Sequence, residues 1–157
     1  MEYTLIAPEH DAPLAKIIRS SLKAHHLDIP GTVYYDEGLD HLSDFYLQPD
    51  RAYYVLLENG IVIGGIGLAS FDGFDDCCEL QKLYLADTAR GHGQGYEMIR
   101  FIEERALEKG FRRIYLETHT NLQAAIHIYE HSGYTAIDPP ACVVHSAMNR
   151  FYLKELN

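Results

Sequence analysis

The sequence is short of positive charge. Its 13 Lys and Arg residues stand against 23 Asp and Glu, a formal net charge of -10. Such a body repels nucleic-acid phosphates, which argues against a generic DNA or RNA binder and fits an amine or cationic partner. No apolar run approaches the ~18 residues needed to span a membrane. The N-terminus, MEYTLIAPEHD, lacks the basic segment and apolar stretch of a secretory signal. Together these absences predict a cytoplasmic protein with neither a membrane nor a nucleic acid as partner. Cysteine is scarce as well. Cys77, Cys78 and Cys142 are odd in number and include an adjacent pair, which is no disulfide framework. They are expected to be reduced, partly buried thiols. No repeat, low-complexity tract or linker divides the 157 residues, so one domain over residues 1–157 is expected.

What is present is an alternation of strand and helix patterns. Tyr3–Ala7 reads as a strand broken by Pro8, and Asp11–Ala24 as a helix with Leu14, Ile17, Ile18 and Leu22 on one stripe. A loop rich in His, Pro, Gly and Tyr follows over residues 25–39, then a shorter helix over Leu39–Tyr46. Ala52–Glu58 and Ile61–Ser70 are strands joined by Asn59-Gly60, a strong hairpin signal. After a turn over Phe71–Asp76, Cys78–Leu85 is the next strand. The helix from Gly95 to Lys109 carries Met98, Ile99, Ile102, Ala106 and Leu107 on its apolar face, and Gly110 stops it. Arg113–Glu117, Leu122–His131, Tyr134–Ile137 and Asn149–Leu156 complete the chain as strand, helix, strand and strand. The unit from residue 78 to 117 predicts a parallel pair with a right-handed crossover, and the whole a mixed α/β sheet flanked by helices.

Between the strand ending at Leu85 and the helix that follows lies Arg90-Gly91-His92-Gly93-Gln94-Gly95. A helix start carries unpaired N–H groups and partial positive charge. Glycines there let the backbone approach a ligand, so the segment is an anion cradle. It is not a dinucleotide loop, because the third glycine of G-x-G-x-x-G would fall on Tyr96 or Met98. It is not a nucleoside-triphosphate loop either, because Gly-Lys-Ser/Thr is missing.

The R-x-x-G-x-G spacing resembles the pyrophosphate loop of the GCN5-related N-acetyltransferases, which bind acetyl-coenzyme A. The strand Glu79-Leu80-Gln81-Lys82-Leu83-Tyr84-Leu85 lies where that family has one. The segment from Asn121 to Tyr134 is similar to the family's N-x-x-A-x-x-x-x-Y-x-x-x-G-[FY] helix, and the element order agrees over residues 3–156. Two positions depart from the pattern: Ala86-Asp87-Thr88-Ala89 lacks the proline that often leads into the loop, and Gln94 stands where an apolar residue is usual.

The resemblance implies a GNAT-like fold, with a mixed sheet of about seven strands and about four helices. It implies an acetyl-CoA-dependent N-acetyltransferase working by direct transfer to an amine of a small molecule, amino acid or peptide. A different class with the same fold, a non-catalytic acyl-CoA-binding module, stands beside it. In the family's manner, the pyrophosphate would sit on the N–H groups of Gly91, His92, Gly93, Gln94 and Gly95. Arg90 would add charge or brace the loop. Leu83 and Leu85 would offer main-chain groups to the pantetheine arm, beside a strand bulge, and Asn121 would bond cofactor amides or cap its helix. Tyr129, facing the sheet with Leu122, Ala125 and Ile126, is the candidate acid. A phenol near pKa ~10 keeps its proton at neutral pH and can give it to a leaving thiolate. Glu79 is the candidate base, for burial would raise its pKa into a useful range.

The acceptor pocket implied by the family falls on residues 25–36 and 138–150, with Tyr34, Tyr35, Asp36 and His145 as candidates and Asp36 as partner for an ammonium. His119 and His145 are further candidates for the acceptor side. His127 and His131, four apart on a helix, have metal-ligand spacing but no obvious third ligand, and no metal is expected. The remaining alternative is a metal-dependent hydrolase built on the histidines. Dimers are common in the family, and the final strand, Phe151–Leu156, is a candidate interface for a homodimer.

Overall fold

The computed structural model describes residues 1–143 and 145–157. Seven strands form a single mixed sheet. They are β1 (Glu2–Leu5), β2 (Arg51–Glu58), β3 (Ile61–Phe71), β4 (Cys77–Leu85), β5 (Arg113–Thr118), β6 (Thr135–Ile137) and β7 (Arg150–Glu155), in the order β1-β2-β3-β4-β5-β7-β6. Four α-helices flank it: α1 (Pro8–Ala24), α2 (Leu42–Phe45), α3 (Gln94–Glu108) and α4 (Gln123–His131). All neighbouring strands are antiparallel except β4 and β5, the expected parallel pair.

The period-two pattern of the strands separates two cores. Leu56, Ile66, Leu68, Ile114 and Leu116 face α3 and α4, where Met98, Ile99, Ile102 and Ala106 are buried. Tyr53 and Val55 point the other way, onto Leu14, Ile18 and Leu22 of α1. Cys77 lies with Tyr115 and Phe151 in a third cluster. Burial pushes the thiols of Cys77 and Cys78 up to about 12, while Cys142 is exposed; all three are free.

Two helices differ from the expectation. α1 starts at Pro8 rather than Asp11. Proline has no N–H to lose at a first helical position, so it ends the strand and opens the helix at once. The expected helix over Leu39–Tyr46 is divided into a 3-10 segment, Glu37–His41, and the four-residue α2. The buried Asp11 carboxylate accounts for the division. It accepts from Ser43 N at 2.9 Å and Ser43 Oγ at 2.6 Å, capping α2 from α1 while Leu39 and Leu42 pack inward.

The feature that shapes the site is a bulge in β4. Gly67 pairs with Gln81 and Gly65 with Tyr84, so Lys82 and Leu83 together oppose only Ile66. Lys82 has φ 52, a left-handed conformation that strains a residue with a side chain. Tyr53 holds it there. Its ring lies over Gly65 and Gly67, where an added Cβ would stand 2.4 Å and 2.5 Å from ring atoms, and its hydroxyl donates to the Lys82 carbonyl at 2.7 Å. Tyr53→Phe leaves that carbonyl short of a donor, and such a loss costs about 1–3 kcal/mol. Urea unfolding should report a destabilisation of that size; a change under ~0.5 kcal/mol, the range of a neutral surface substitution, would show that the bulge does not depend on this bond.

Candidate active site

β4 and β5 pair only from Cys77 and Arg113 to Glu79 and Tyr115. Beyond Glu79 they part, and a cleft of about 440 Å³ opens between them. It runs from the α3 N-terminus to the segment before β7. Arg90, Gly91, Gly93, Gln94 and Gly95 form one end, with Leu83 and Leu85 along the floor. Tyr129 of α4 lines the middle, and Glu79, Lys82, Glu117 and His145 stand at the far end.

The loop end has the geometry of an anion cradle. Gly91 and Gly93 have φ 86 and 73, and Gly93 is the N-cap of α3. Among the described residues, no backbone N–H from Gly91 to Tyr96 donates to a main-chain carbonyl, whereas Glu97 N already bonds Gly93 O at 3.3 Å. These free donors and the helix dipole converge on one place. Arg90 braces the loop. Its guanidinium donates to the Leu85 carbonyl at 3.3 Å and to Ser21 Oγ of α1 at 3.1 Å. His92 is exposed and lies outside the cleft wall, so only its backbone N–H belongs to this arrangement.

Tyr129 is 6% exposed, and burial raises its phenol well above the ordinary value, so it stays protonated at neutral pH. Glu79 accepts from Gln81 Nε2 at 2.8 Å. Burial, and the neighbouring Glu117 charge, raise its carboxyl above the ordinary value against the opposing effect of that bond. The two ends of the expected acceptor region meet here. His145 Nε2 lies 2.9 Å from Asp36 Oδ2, and Ala147 N donates to Gly31 O at 3.1 Å.

Other expectations need correction. Asn121 neither lines the cleft nor caps α4, whose N-cap is Leu122; its Nδ2 donates to the His25 carbonyl at 3.0 Å and ties α4 to the end of α1. Tyr35 is 61% exposed and outside the cleft, because the 3-10 turn Val33–Tyr35 sends Val33 into the wall instead. Asp36 reaches the site through His145 rather than by lining it. His127 and His131 are exposed with ring centroids 3.9 Å apart, and among the described residues no group of three or more His, Cys, Asp or Glu is set to hold a metal ion.

Sequence reasoning missed Lys82 and Glu117. The signal for Lys82 is a change of parity in β4: Cys78 and Leu80 face the α3 core, and so do Leu83 and Leu85. Only one extra residue between Leu80 and Leu83 allows that. Glu117 follows from strand alternation, since it shares the face of Tyr115 and accepts its hydroxyl at 2.8 Å.

A sequence profile described as the acetyltransferase (GNAT) family matches residues 19–134. The chain is 40% identical over 127 residues to an uncharacterised N-acetyltransferase, YjgM, of Escherichia coli K12, covering 80% of this chain and 76% of that protein. The chain belongs to the GNAT family. Among solved structures, an acetyltransferase of the GNAT family from Staphylococcus aureus Mu50 superposes with a TM-score of 0.84 at 21% identity, covering 99% of each chain. The PaiA N-acetyltransferase of Thermoplasma acidophilum, solved in complex with coenzyme A, gives 0.73 at 18% identity, again over 99% of each.

The state of Glu79 is open to measurement. Its folded pKa is raised above the 4.5 of a free carboxyl, so its ionisation works against folding. The stability this site contributes is full below that value and is lost as pH rises through the raised pKa. Glu79→Gln removes the charge and keeps an oxygen for Gln81. The stability of the variant relative to the parent should therefore increase with pH through the carboxylate range and level off above the raised pKa. Urea midpoints taken from about pH 4 to pH 8 check this; a flat difference would mean that Glu79 titrates as it does in water.

Proposed function

We propose that the protein transfers an acetyl group from acetyl-CoA to an amine in a ternary complex. One observation carries the reading: the free N–H groups at the α3 start, the parted strands and Tyr129 all border a single cleft. The residues fit the cosubstrate. The N–H groups from Gly91 to Gly95 would hold its pyrophosphate, braced by Arg90, and the main chain at Leu83 and Leu85 would meet its amide-rich arm. When bound, acetyl-CoA supplies an acyl carbon activated as a thioester. Every remaining task falls to the chain.

An alkyl ammonium must lose a proton before its nitrogen can attack. Glu79 takes that proton first, and the neutral nitrogen then forms the C–N bond. Its raised pKa makes it a stronger base than an exposed carboxylate, and Glu117 beside it favours the protonated product. A main-chain N–H near Leu83 would stabilise the charge that develops on the carbonyl oxygen. Tyr129 would then give its phenolic proton to the sulfur as the C–S bond breaks, and the second proton, shed by the nitrogen as the amide forms, would restore the phenol. Burial of Tyr129 keeps its own proton in place until a thiolate is there to receive it.

The first test is a thermal-shift titration with acetyl-CoA, CoA, NAD and ATP. A ligand at 100 times its Kd adds about 2.7 kcal/mol to stability. Stabilisation by acetyl-CoA and CoA alone supports the reading, and its absence from protein free of bound cosubstrate ends it. Tyr129→Phe should then lower kcat about 100-fold or more, as loss of a general acid does, with CoA affinity nearly unchanged. Turnover equal to the parent's would remove Tyr129 from the role of acid.

A further inference from the structure

We propose that the acceptor is an amino carboxylate, whose carboxylate is held by Lys82 while its amine lies against Glu79 and Glu117. The assignment rests on the acetyltransferase reading and names the substrate class of the same cleft.

The far end of the cleft contains charges of both signs, and they are not equally satisfied. Asp36 has His145 at 2.9 Å. Glu117 accepts from the Tyr115 hydroxyl, and Glu79 from Gln81. Lys82 differs. Among the described residues its ammonium makes no hydrogen bond and no ion pair. It meets only the ring faces of Phe45 and Tyr46, 5.4 Å and 5.8 Å from their centroids. A lysine ammonium carries three donors and no acceptor, and two ring faces satisfy none of the three with an oxygen. Burial accordingly lowers its pKa from the ordinary value, although Asp36 and Glu79 pull the other way.

The backbone places Lys82 on the cleft wall at a cost. Lys82 is the bulged residue with φ 52, where glycine would be unstrained. Strain kept at a ligand site points to a function for the residue held there. A half-buried lysine on the cleft wall, with no anionic partner among the described residues, fits an anionic group from outside the chain. The carboxylates around it rule against a substrate that is only anionic. A zwitterion answers both demands, its ammonium facing Glu79 and Glu117 and its carboxylate facing Lys82. A plain amine or diamine would instead set a second cation beside an unpaired one in a half-buried space.

The test pairs each amino acid with its own carboxamide. L-alanine, L-serine, L-methionine and L-glutamate and their carboxamides are offered to the CoA-loaded protein, with melting temperature as readout, and to the protein with acetyl-CoA, with thiol release as readout. The free amino acid should be preferred in at least one pair by about tenfold or more in kcat/KM, the scale of one charge-assisted contact. Lys82→Met should shrink that preference to about threefold or less, chiefly through KM, and Lys82→Arg should keep most of it, with CoA binding retained in both. No carboxylate preference in any pair, in binding or in turnover, overturns the proposal. So does a preference that survives Lys82→Met. The parent protein's own discrimination decides the matter even where a variant folds poorly. Failure of CoA to bind the parent would end the acetyltransferase reading and this one with it; CoA binding and acetylation of amines regardless of a carboxylate would end this one alone.

Discussion

The site depends on one hydrogen bond, from the Tyr53 hydroxyl to the Lys82 carbonyl. Tyr53 is fully buried in the core beneath α1, and Gly65 and Gly67 leave room for its ring to cross β3. The bond therefore anchors the strained residue of β4 to the core packed against α1. Three consequences follow from the bulge it fixes. The facing of β4 changes parity, so that Leu80 and Leu83 both reach the α3 core. The ladder to β5 ends at Glu79, which opens the cleft. Lys82 stands on the cleft wall, its ammonium beside the Phe45 and Tyr46 rings. A regular β4 would flip Leu83 and Leu85 onto the wrong face and would leave no gap for a ligand arm.

The loop end and the bulge divide the labour of binding. At the α3 start the donors are backbone groups, fixed by helix geometry and by the positive φ of Gly91 and Gly93. Side chains there brace: Arg90 links the Leu85 carbonyl to Ser21 of α1. Gln94 in place of an apolar residue keeps the free backbone N–H that it contributes to the cradle, whatever its side chain. The far end works in the opposite way. Its wall is side-chain chemistry drawn from β4, β5 and two segments more than a hundred residues apart in sequence, joined by Asp36 and His145.

That contrast governs how much could be read from the sequence. Strands, the Asn59-Gly60 hairpin and the glycine loop are local features, written in period and turn chemistry, and they stand within a few residues of where those signals place them. The glycine loop needs no partner to be recognised. The second helix was not legible, because its division depends on Asp11 capping Ser43 across 32 residues. Asn121 looked like a cap or a ligand because its neighbours give no sign that His25 would take its amide. Tyr35 and Asp36 sit side by side in sequence, yet a single 3-10 turn leaves one in solvent and brings the other to His145. Lys82 is the instructive case. The parity change from Leu80 to Leu83 announces an extra residue in the strand, but not the direction in which its side chain is sent.

The two carboxylates of the cleft, finally, are not equivalent, and their difference assigns their roles on the proposed mechanism. Glu117 is 5% exposed, accepts the Tyr115 hydroxyl at 2.8 Å, and has His145 Nδ1 at 4.0 Å. Glu79 holds one bond, from an amide, and its pKa is raised by burial with the Glu117 charge adding to it. The charge on Glu117 therefore makes Glu79 a better base without being consumed. Once Glu79 takes up a proton the repulsion between the pair is relieved, and the loss of charge at Glu79 loosens its hold on the acetylated, neutral nitrogen. That neutralisation also withdraws one of the two charges, Glu79 and Asp36, that favour the charged form of Lys82, and leaves Asp36 as the other.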